Sequence, residues 1–200
     1  MLPRRLRVSG LDGFHSMSGG RQAQKKPSEL PSFDGGFVHV VIEAQKGSRI
    51  KLKYKPEWGV FVAEKMLPPG MAFPFDFGFI PSMLAEDGDP LDAIVLSESG
   101  LPAMSVVLAK VSAILKCRQT EKGKSERNDR VIAIPVDSKS HEPMVPSVRL
   151  DAKLIKSISA FFVEYNKLQG KRFEVIRAEG RRQALAAIRQ NQQNGRQGRA

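Results

Sequence analysis

Residues 86–92 read EDGDPLD, the densest group of carboxylates in the chain. Asp87 and Asp89 are two positions apart, so on an extended backbone their side chains project to the same side, and the glycine between them permits a tight backbone. The proline that follows favours an extended conformation at Asp89. Asp92 then opens the apolar run 93–96, which is short enough for a buried strand, so its carboxylate is predicted to lie at the mouth of that strand.

This acidic stretch has two interpretations. Like-charged carboxylates packed so closely repel one another unless a cation neutralises them, and hard oxygen ligands suit Mg²⁺, which keeps several waters and shares its shell with substrate phosphates. The same residue types also form solvated turns. An EF-hand is disfavoured, because Asp92 occupies the sixth loop position, which needs Gly, although Glu98 matches the twelfth. The stretch alone leaves a metal site and a turn open.

Bulk composition indicates a globular protein in a reducing compartment, and we predict a cytoplasmic one. The 200 residues are 41% hydrophobic and include one cysteine, Cys117. No apolar stretch approaches the roughly 18 residues that cross a bilayer, so no membrane partner is expected. Residues 1–36 carry six Lys/Arg against three Asp/Glu, residues 171–200 carry eight against two, and 18 against 16 remain in residues 37–170. The basicity lies at the ends, so a nucleic-acid partner is not expected.

Two polar tails are predicted to flank one folded domain. Residues 1–36 and 191–200 have little apolar periodicity and are predicted to be disordered, with the domain spanning 37–190. The arginine-rich start could also indicate an organellar transit peptide. Met17 offers a second start, and the glycines at 19–20 would break an amphipathic helix, so an over-long gene start or a solvated tail is the favoured interpretation.

Strand patterns dominate the first two thirds of the chain and helical patterns the remainder. The β-rich segments are 37–43, 49–54, 59–65, 91–96, 104–118, 130–134 and 173–175. The first three predict an antiparallel meander, and 119–126 predicts a hairpin loop. Helices are predicted over 154–168, between Asp151 as cap and Gly170 as terminator, and over 181–188. Many short strands followed by late helices predict an α+β fold, a closed β-barrel with helices packed outside.

Lys51 and Lys53 fall with Arg49 on one face of the second predicted strand. A row of cations on a strand face is more often solvated than functional. Proximity to the acidic stretch would reverse that interpretation.

Four segments together resemble the soluble magnesium-dependent inorganic pyrophosphatase family in their order and spacing. They are VIE at 41–43, IK at 50–51, FPFDFGFI at 73–80 and DGDPLD at 87–92, the last similar to the D-G-D-P-x-D signature of the family. With the phenylalanines at 161–162 and Tyr165, the resemblance covers about residues 37–178. It implies an OB-like barrel of about five main strands, Mg²⁺ as cofactor, hydrolysis of inorganic pyrophosphate to two phosphates, and a homo-oligomer.

The resemblance also implies roles for the acidic residues. Asp87 and Asp92 hold metal ions, and Glu43 binds a metal directly or through water. Asp89 borders the metals and accepts the proton of the nucleophile. In this chemistry paired metals activate a bridging water and neutralise the phosphoryl oxygens.

The basic and phenolic residues are assigned to the substrate by the same resemblance. Lys51, Lys65 and Arg130 grip the phosphates, and Tyr165 donates a hydrogen bond to one of them. Lys65 stands where the family usually has arginine, so a two-point contact becomes a point charge.

Several further positions depart from the family pattern. They are Phe73 and Phe77 in place of tyrosine, Lys53 in place of a carboxylate, Asn166 in place of lysine, and Gln119 and Asn128 in place of metal-binding aspartates. Glu121, Glu126 or Asp129 is a candidate substitute if the hairpin is built differently. We therefore predict a divergent inorganic diphosphatase, with a weakened or inactive protein that binds phosphate-containing ligands as the alternative.

Overall fold

The computed structural model describes residues 26–83, 89–145 and 150–197. The ten strands are β1 (Phe33–Asp34), β2 (Phe37–Ala44), β3 (Ile50–Lys55), β4 (Val60–Met66), β5 (Asp76–Phe79), β6 (Asp92–Val95), β7 (Val106–Glu121), β8 (Lys124–Arg127), β9 (Arg130–Val136) and β10 (Arg172–Gly180). The helices are a 3-10 turn at Pro27–Glu29, α1 (Ala152–Lys167) and α2 (Arg181–Gln197). The strands and late helices confirm the predicted α+β class.

Five strands close a ring. β2 pairs with β5, β5 with β6, β6 with β9, β9 with β7, and β7 returns to β2. Every contact in this ring is antiparallel except β6 with β9, which run parallel and align Asp92 with Arg130. The ring confirms the predicted barrel and places the start of β6 beside the start of β9.

The barrel strands are buried on both faces. Along β6, Ala93 and Val95 join one apolar cluster while Ile94 joins a second, because successive side chains point to opposite faces. The first cluster is covered by Ala184 and Ile188 of α2, and the second by α1. Burial on both faces explains why β6 reads as a continuous apolar run.

Helix α1 begins and ends where its sequence predicts. The Asp151 carboxylate accepts a hydrogen bond from the Leu154 N–H at 2.8 Å, which satisfies one of the free amides of the first turn. Gly170 adopts φ +70°, and the Lys171 N–H donates to the Asn166 carbonyl just beyond the last turn. The helix therefore fixes the direction of Tyr165 relative to the barrel.

Some strand pairings differ from the prediction. β3 and β4 form the predicted hairpin, but as a separate two-stranded sheet that does not continue β2. The predicted loop 119–126 is a tighter hairpin, since β7 extends to Glu121 and β8 begins at Lys124. Local patterns identify strands, whereas their partners depend on distant residues that bury the same faces.

The ordered part of the chain is longer than predicted at both ends. Ser32, inside the predicted tail 1–36, is buried and donates from its hydroxyl to the Pro81 carbonyl at 2.7 Å. β1 pairs with β2, and Leu30 and Phe33 pack on the core. α2 continues to Gln197, into the predicted tail 191–200. The apolar residues of these segments are scattered and show no local periodicity, so the sequence did not predict their order. They bury against residues far along the chain. Residues 1–25 and 198–200 lie outside the described residues.

We expect the segment 26–36 to stabilise the fold. Deleting residues 1–36 should lower the free energy of unfolding by about 2 kcal/mol or more relative to deleting residues 1–25. The longer deletion removes a buried hydrogen bond and the packing of Leu30 and Phe33. Urea unfolding of the two truncated proteins measures the difference. Equal midpoints would show that the segment contributes nothing.

Candidate functional site

A cavity of about 370 Å³ opens between the β3–β4 hairpin, the start of β6, the β7–β8 hairpin and the end of α1. Six of the eight predicted site residues line it: Lys51, Lys65, Asp89, Asp92, Arg130 and Tyr165. Glu43 lies on an adjoining cavity of about 260 Å³ that shares Lys51, Asp89 and Asp92 with the first. Asp87 lies outside the described residues.

Glu43 and Lys51 form a buried pair near the end of β2. The Lys51 Nζ lies 3.2 Å from the Glu43 carboxylate, and 5.0 Å from the centre of the Phe77 ring. Burial raises the pKa of Glu43, and the attraction of Lys51 only partly opposes it. Burial pushes the pKa of Lys51 down, but Glu43 and then Asp92 outweigh that effect and raise the pKa overall. Lys51 is therefore a permanently charged ammonium at neutral pH.

Arg130 is fixed as the partner of Asp92. Its Nη2 lies 3.3 Å from the Asp92 carboxylate, and its guanidinium is 4.2 Å and 4.3 Å from the ring centres of Phe162 and Phe173. Only 4% of the Arg130 side chain is exposed. Another nitrogen donates to the Asn128 carbonyl at 3.3 Å. Arg130 therefore orients the Asp92 carboxylate and adds positive charge to the cavity wall.

We expect Arg130→Met to destabilise the protein by about 3 kcal/mol, because it leaves Asp92 without this cation and breaks a stacked, desolvated contact. Arg127→Met is the matched control. Arg127 is 49% exposed where it pairs with Asp129, so its loss should cost less than about 1 kcal/mol. Urea unfolding measures both. Similar losses in the two variants would contradict a special role for the stacked arginine.

Lys65 and Tyr165 are neighbours in the cavity lining. The Lys65 ammonium donates to the Gln169 Oε1 at 2.6 Å and lies 5.5 Å from the centre of the Tyr165 ring. Burial, and then repulsion by Lys51, lowers the pKa of Lys65. Burial raises the pKa of Tyr165, although Lys51 opposes it, so the hydroxyl remains a hydrogen-bond donor. Gln169 was not predicted; its spacing of four residues from Tyr165 was the available signal.

Asp129, one of the candidate substitutes for the family's metal aspartates, lines the cavity, but neighbouring donors bind both of its carboxylate oxygens. One carboxylate oxygen accepts from the Cys117 N–H at 3.0 Å. The other contacts Lys116 at 2.9 Å and Arg127 at 2.6 Å. These contacts occupy both oxygens, so Asp129 joins the segment just before β9 to β7 and β8.

The other residues near the hairpin that depart from the family pattern also have defined contacts. The Asn128 amide donates to the Gln119 Oε1 at 3.2 Å, so the two uncharged residues bind each other. Glu121 pairs with Lys171 at 2.9 Å, which lowers the pKa of Glu121. Glu121 lines the cavity from β7 and Glu126 lines it from β8. A pair of amides can be neighbours without a cation between them, whereas two ionised carboxylates would repel each other.

The other substituted positions are mainly packing residues. Phe73 is buried, and its ring centre lies 5.7 Å from that of Tyr165. Phe77 lines the cavity and presents its ring to Lys51. Asn166 is buried and donates to the Phe162 carbonyl at 2.8 Å. None of these three side chains places a charge in the cavity.

The cavity thus combines carboxylates with basic side chains, several of which are in direct ion pairs. Within residues 26–83, 89–145 and 150–197, no three acidic, histidine or cysteine side chains are close enough to hold a metal ion by themselves. A cation bound by one or two carboxylates would complete its shell with water or with the oxygens of a bound anion. Such an arrangement suits a compact, phosphate-rich polyanion that enters with a divalent cation.

Comparison with known proteins gives a consistent result. A family model described as inorganic pyrophosphatase matches residues 40–196. The chain is 34% identical over 151 residues to the inorganic pyrophosphatase of Thermus thermophilus, covering 76% of this chain and 84% of that protein. It is 36% identical over 152 residues to that of Methanosarcina acetivorans, covering 76% and 88%. The crystal structure of the Thermus thermophilus protein superposes with a TM-score of 0.72 and 32% identity, covering 86% of this chain and 99% of the other.

Proposed function

Because the chain belongs to the inorganic pyrophosphatase family, we propose that it is an inorganic diphosphatase that hydrolyses pyrophosphate to two phosphates with Mg²⁺. The observation that carries the proposal is one cavity that combines Asp89 and Asp92 with Lys51, Lys65 and Tyr165. Carboxylates suit a hard cation, and the ammonium and phenol groups suit phosphate oxygens.

The carboxylates present fit a divalent cation. Asp89 and Asp92 supply oxygens to the cavity, and Glu43 adjoins it as a buried carboxylate whose pKa is raised by burial. A dication nearby would favour the charged form of all three. When bound, a divalent cation supplies charge neutralisation at the phosphoryl oxygens and a lowered pKa for water.

The chain's own residues would bind and orient the substrate. Lys51 keeps its charge at neutral pH and offers a fixed cation to one phosphate group. Lys65 offers a second, since a phosphate beside it offsets the burial and repulsion that lower its pKa. Tyr165 donates its hydroxyl hydrogen. Arg130 acts on the reaction by holding Asp92 in place.

We assign the proton transfer to Asp89. Its carboxylate is 63% exposed at the cavity mouth, where an attacking water can approach. As the water oxygen bonds to one phosphorus, the bond from that phosphorus to the bridging oxygen breaks, and the second phosphate leaves with the electron pair. Asp89 accepts the proton that the water loses.

The direct test is phosphate release from pyrophosphate at neutral pH, with Mg²⁺ and with a chelator. We expect release that requires the cation. Binding of pyrophosphate without hydrolysis at any Mg²⁺ concentration would instead support a phosphate-ligand-binding protein. Two observations favour this second candidate. Gln119 and Asn128 form an uncharged amide pair, and Asp129 is bound by neighbouring donors.

Three finer features belong to the same proposal. We place the protein in the cytoplasm, and we propose a homo-oligomer because the family resemblance implies one. We also propose that residues 37–190 contain the whole catalytic unit, with 26–36 supporting it. No helix in the described part of the chain could span a membrane.

A further inference from the structure

Lys53 lies between two carboxylates at the mouth of the site. Its Nζ is 3.5 Å from the Asp89 carboxylate and 3.9 Å from that of Glu64. It lines both the larger cavity and the adjoining cavity that contains Glu43. The Lys53 side chain is 35% exposed, so its charge faces the space that a ligand enters.

This position follows from the strand. Lys51 and Lys53 are two residues apart on β3 and project from the same face, with a register shift in the pairing with β4 just after Lys51. Lys51 contacts Glu43 in the interior, and Lys53 contacts Asp89 nearer the surface. A strand face that carries a row of cations is usually solvated. Here that face of β3 contacts the carboxylates of the cavity.

The charge pattern extends across the site. Each of the three described carboxylates assigned to metal binding has a basic side chain within 3.5 Å: Lys51 at Glu43, Lys53 at Asp89 and Arg130 at Asp92. Lys51 and Arg130 are only 14% and 4% exposed and also pack on aromatic rings. Lys53 differs, because it is the most exposed of the three and contacts a second carboxylate.

We propose that Lys53 serves as a fixed cation that takes the place of a divalent ion between Asp89 and Glu64, and so limits how many divalent ions the site binds and how tightly. This inference rests on the proposed function. An ammonium among carboxylates satisfies part of their charge, and it repels an arriving dication over a few ångströms. The site therefore takes its remaining positive charge from a smaller number of free ions.

The test is Mn²⁺ binding to the full chain without pyrophosphate, followed by the electron paramagnetic resonance signal of free Mn²⁺. Lys53→Met should bind Mn²⁺ roughly tenfold more tightly than the parent, or bind one additional ion, because one charge near the site is removed. Lys53→Arg keeps the charge and should match the parent within about threefold. Circular dichroism confirms folding, and Lys53→Gln replaces the methionine variant if that variant is unfolded.

Lys55→Met is the matched control. Lys55 lies on the same strand and the same face, its loss changes the net charge equally, and it is outside both cavities as the described residues define them. Its Mn²⁺ binding should stay within about threefold of the parent. Unchanged binding in Lys53→Met, loss of binding in Lys53→Arg, or an equal gain in Lys55→Met would each overturn the inference. Absence of phosphate release would instead count against the proposed function, because Mn²⁺ binding is measured without substrate.

Discussion

Asp89→Asn is expected to lower the rate of pyrophosphate hydrolysis by about 10²- to 10⁴-fold at saturating Mg²⁺, the usual contribution of a positioned general base. The amide is nearly the same size as the carboxylate but cannot accept the proton of the attacking water. Asp89 is 63% exposed at the cavity mouth, with Lys53 at 3.5 Å, while Asp92 is 22% exposed beside the buried Arg130 and Glu43 is buried with Lys51. Among these three carboxylates Asp89 is the best placed to exchange a proton with water.

The substitution also removes one negative charge, so metal binding must be measured separately. Mn²⁺ titration of Asp89→Asn should show a change that saturating cation overcomes, while the hydrolysis rate stays low. Glu57→Gln, which changes the same charge in the exposed turn between β3 and β4, serves as control and should retain parental activity. Activity of Asp89→Asn within a few-fold of the parent would leave Asp89 as a turn residue without a role as base.

Gly78→Ala is expected to cost more than about 3 kcal/mol of stability, which is a large share of the roughly 5–15 kcal/mol that holds a domain folded. A Cβ added at Gly78 would lie 1.9 Å from the Val41 carbonyl oxygen and 2.8 Å from the carbonyl carbon. These are backbone atoms of the neighbouring barrel strand, paired with β5 through Ile42 and Gly78. No side-chain rotation relieves the contact, so β2 and β5 must separate.

Gly180→Ala is the matched control for this prediction. Gly180 also lies in a strand, and its added Cβ would meet only the Gln183 side chain at 3.7 Å, an ordinary contact. Urea unfolding should place Gly180→Ala within about 1 kcal/mol of the parent, whereas Gly78→Ala is expected to be far less stable or not to fold. A Gly78→Ala protein as stable as the parent would show that the two strands tolerate more separation than their spacing indicates.

The acidic stretch shows which features of the site can be predicted from sequence. The spacing of Asp89 and Asp92 and the apolar run after them predict a carboxylate at the mouth of a strand, and Asp92 does begin β6. Lys51 and Lys53 offered only an ambiguous pattern, because alternation along β3 assigns them a common face without saying what that face meets. Their contacts with Glu43 and Asp89 arise when β3 is folded over the end of β2.

The hairpin before β9 shows a feature that local sequence cannot predict. Asp129 has the chemistry of a metal ligand, and nothing in the local pattern distinguishes it from one. Its oxygens are taken by Lys116, Arg127 and the Cys117 amide, which come from both strands of the hairpin. Whether a carboxylate is available to a ligand depends on which donors surround it in space.

By itself the sequence determined most of the strands, although not β1, β5 or β8, together with the extent of α1 with its Asp151 cap, the α+β barrel class and the family to which the site belongs. These follow from backbone periodicity, capping and residue type, which are properties of neighbouring residues. Only the tertiary structure decided that β2 pairs with β7, that the segment 26–36 is part of the fold, and that Arg130 is bound to Asp92. Those features depend on residues far apart in the chain that bury the same surface and satisfy each other's charge, and no local pattern specifies which distant partner will do so.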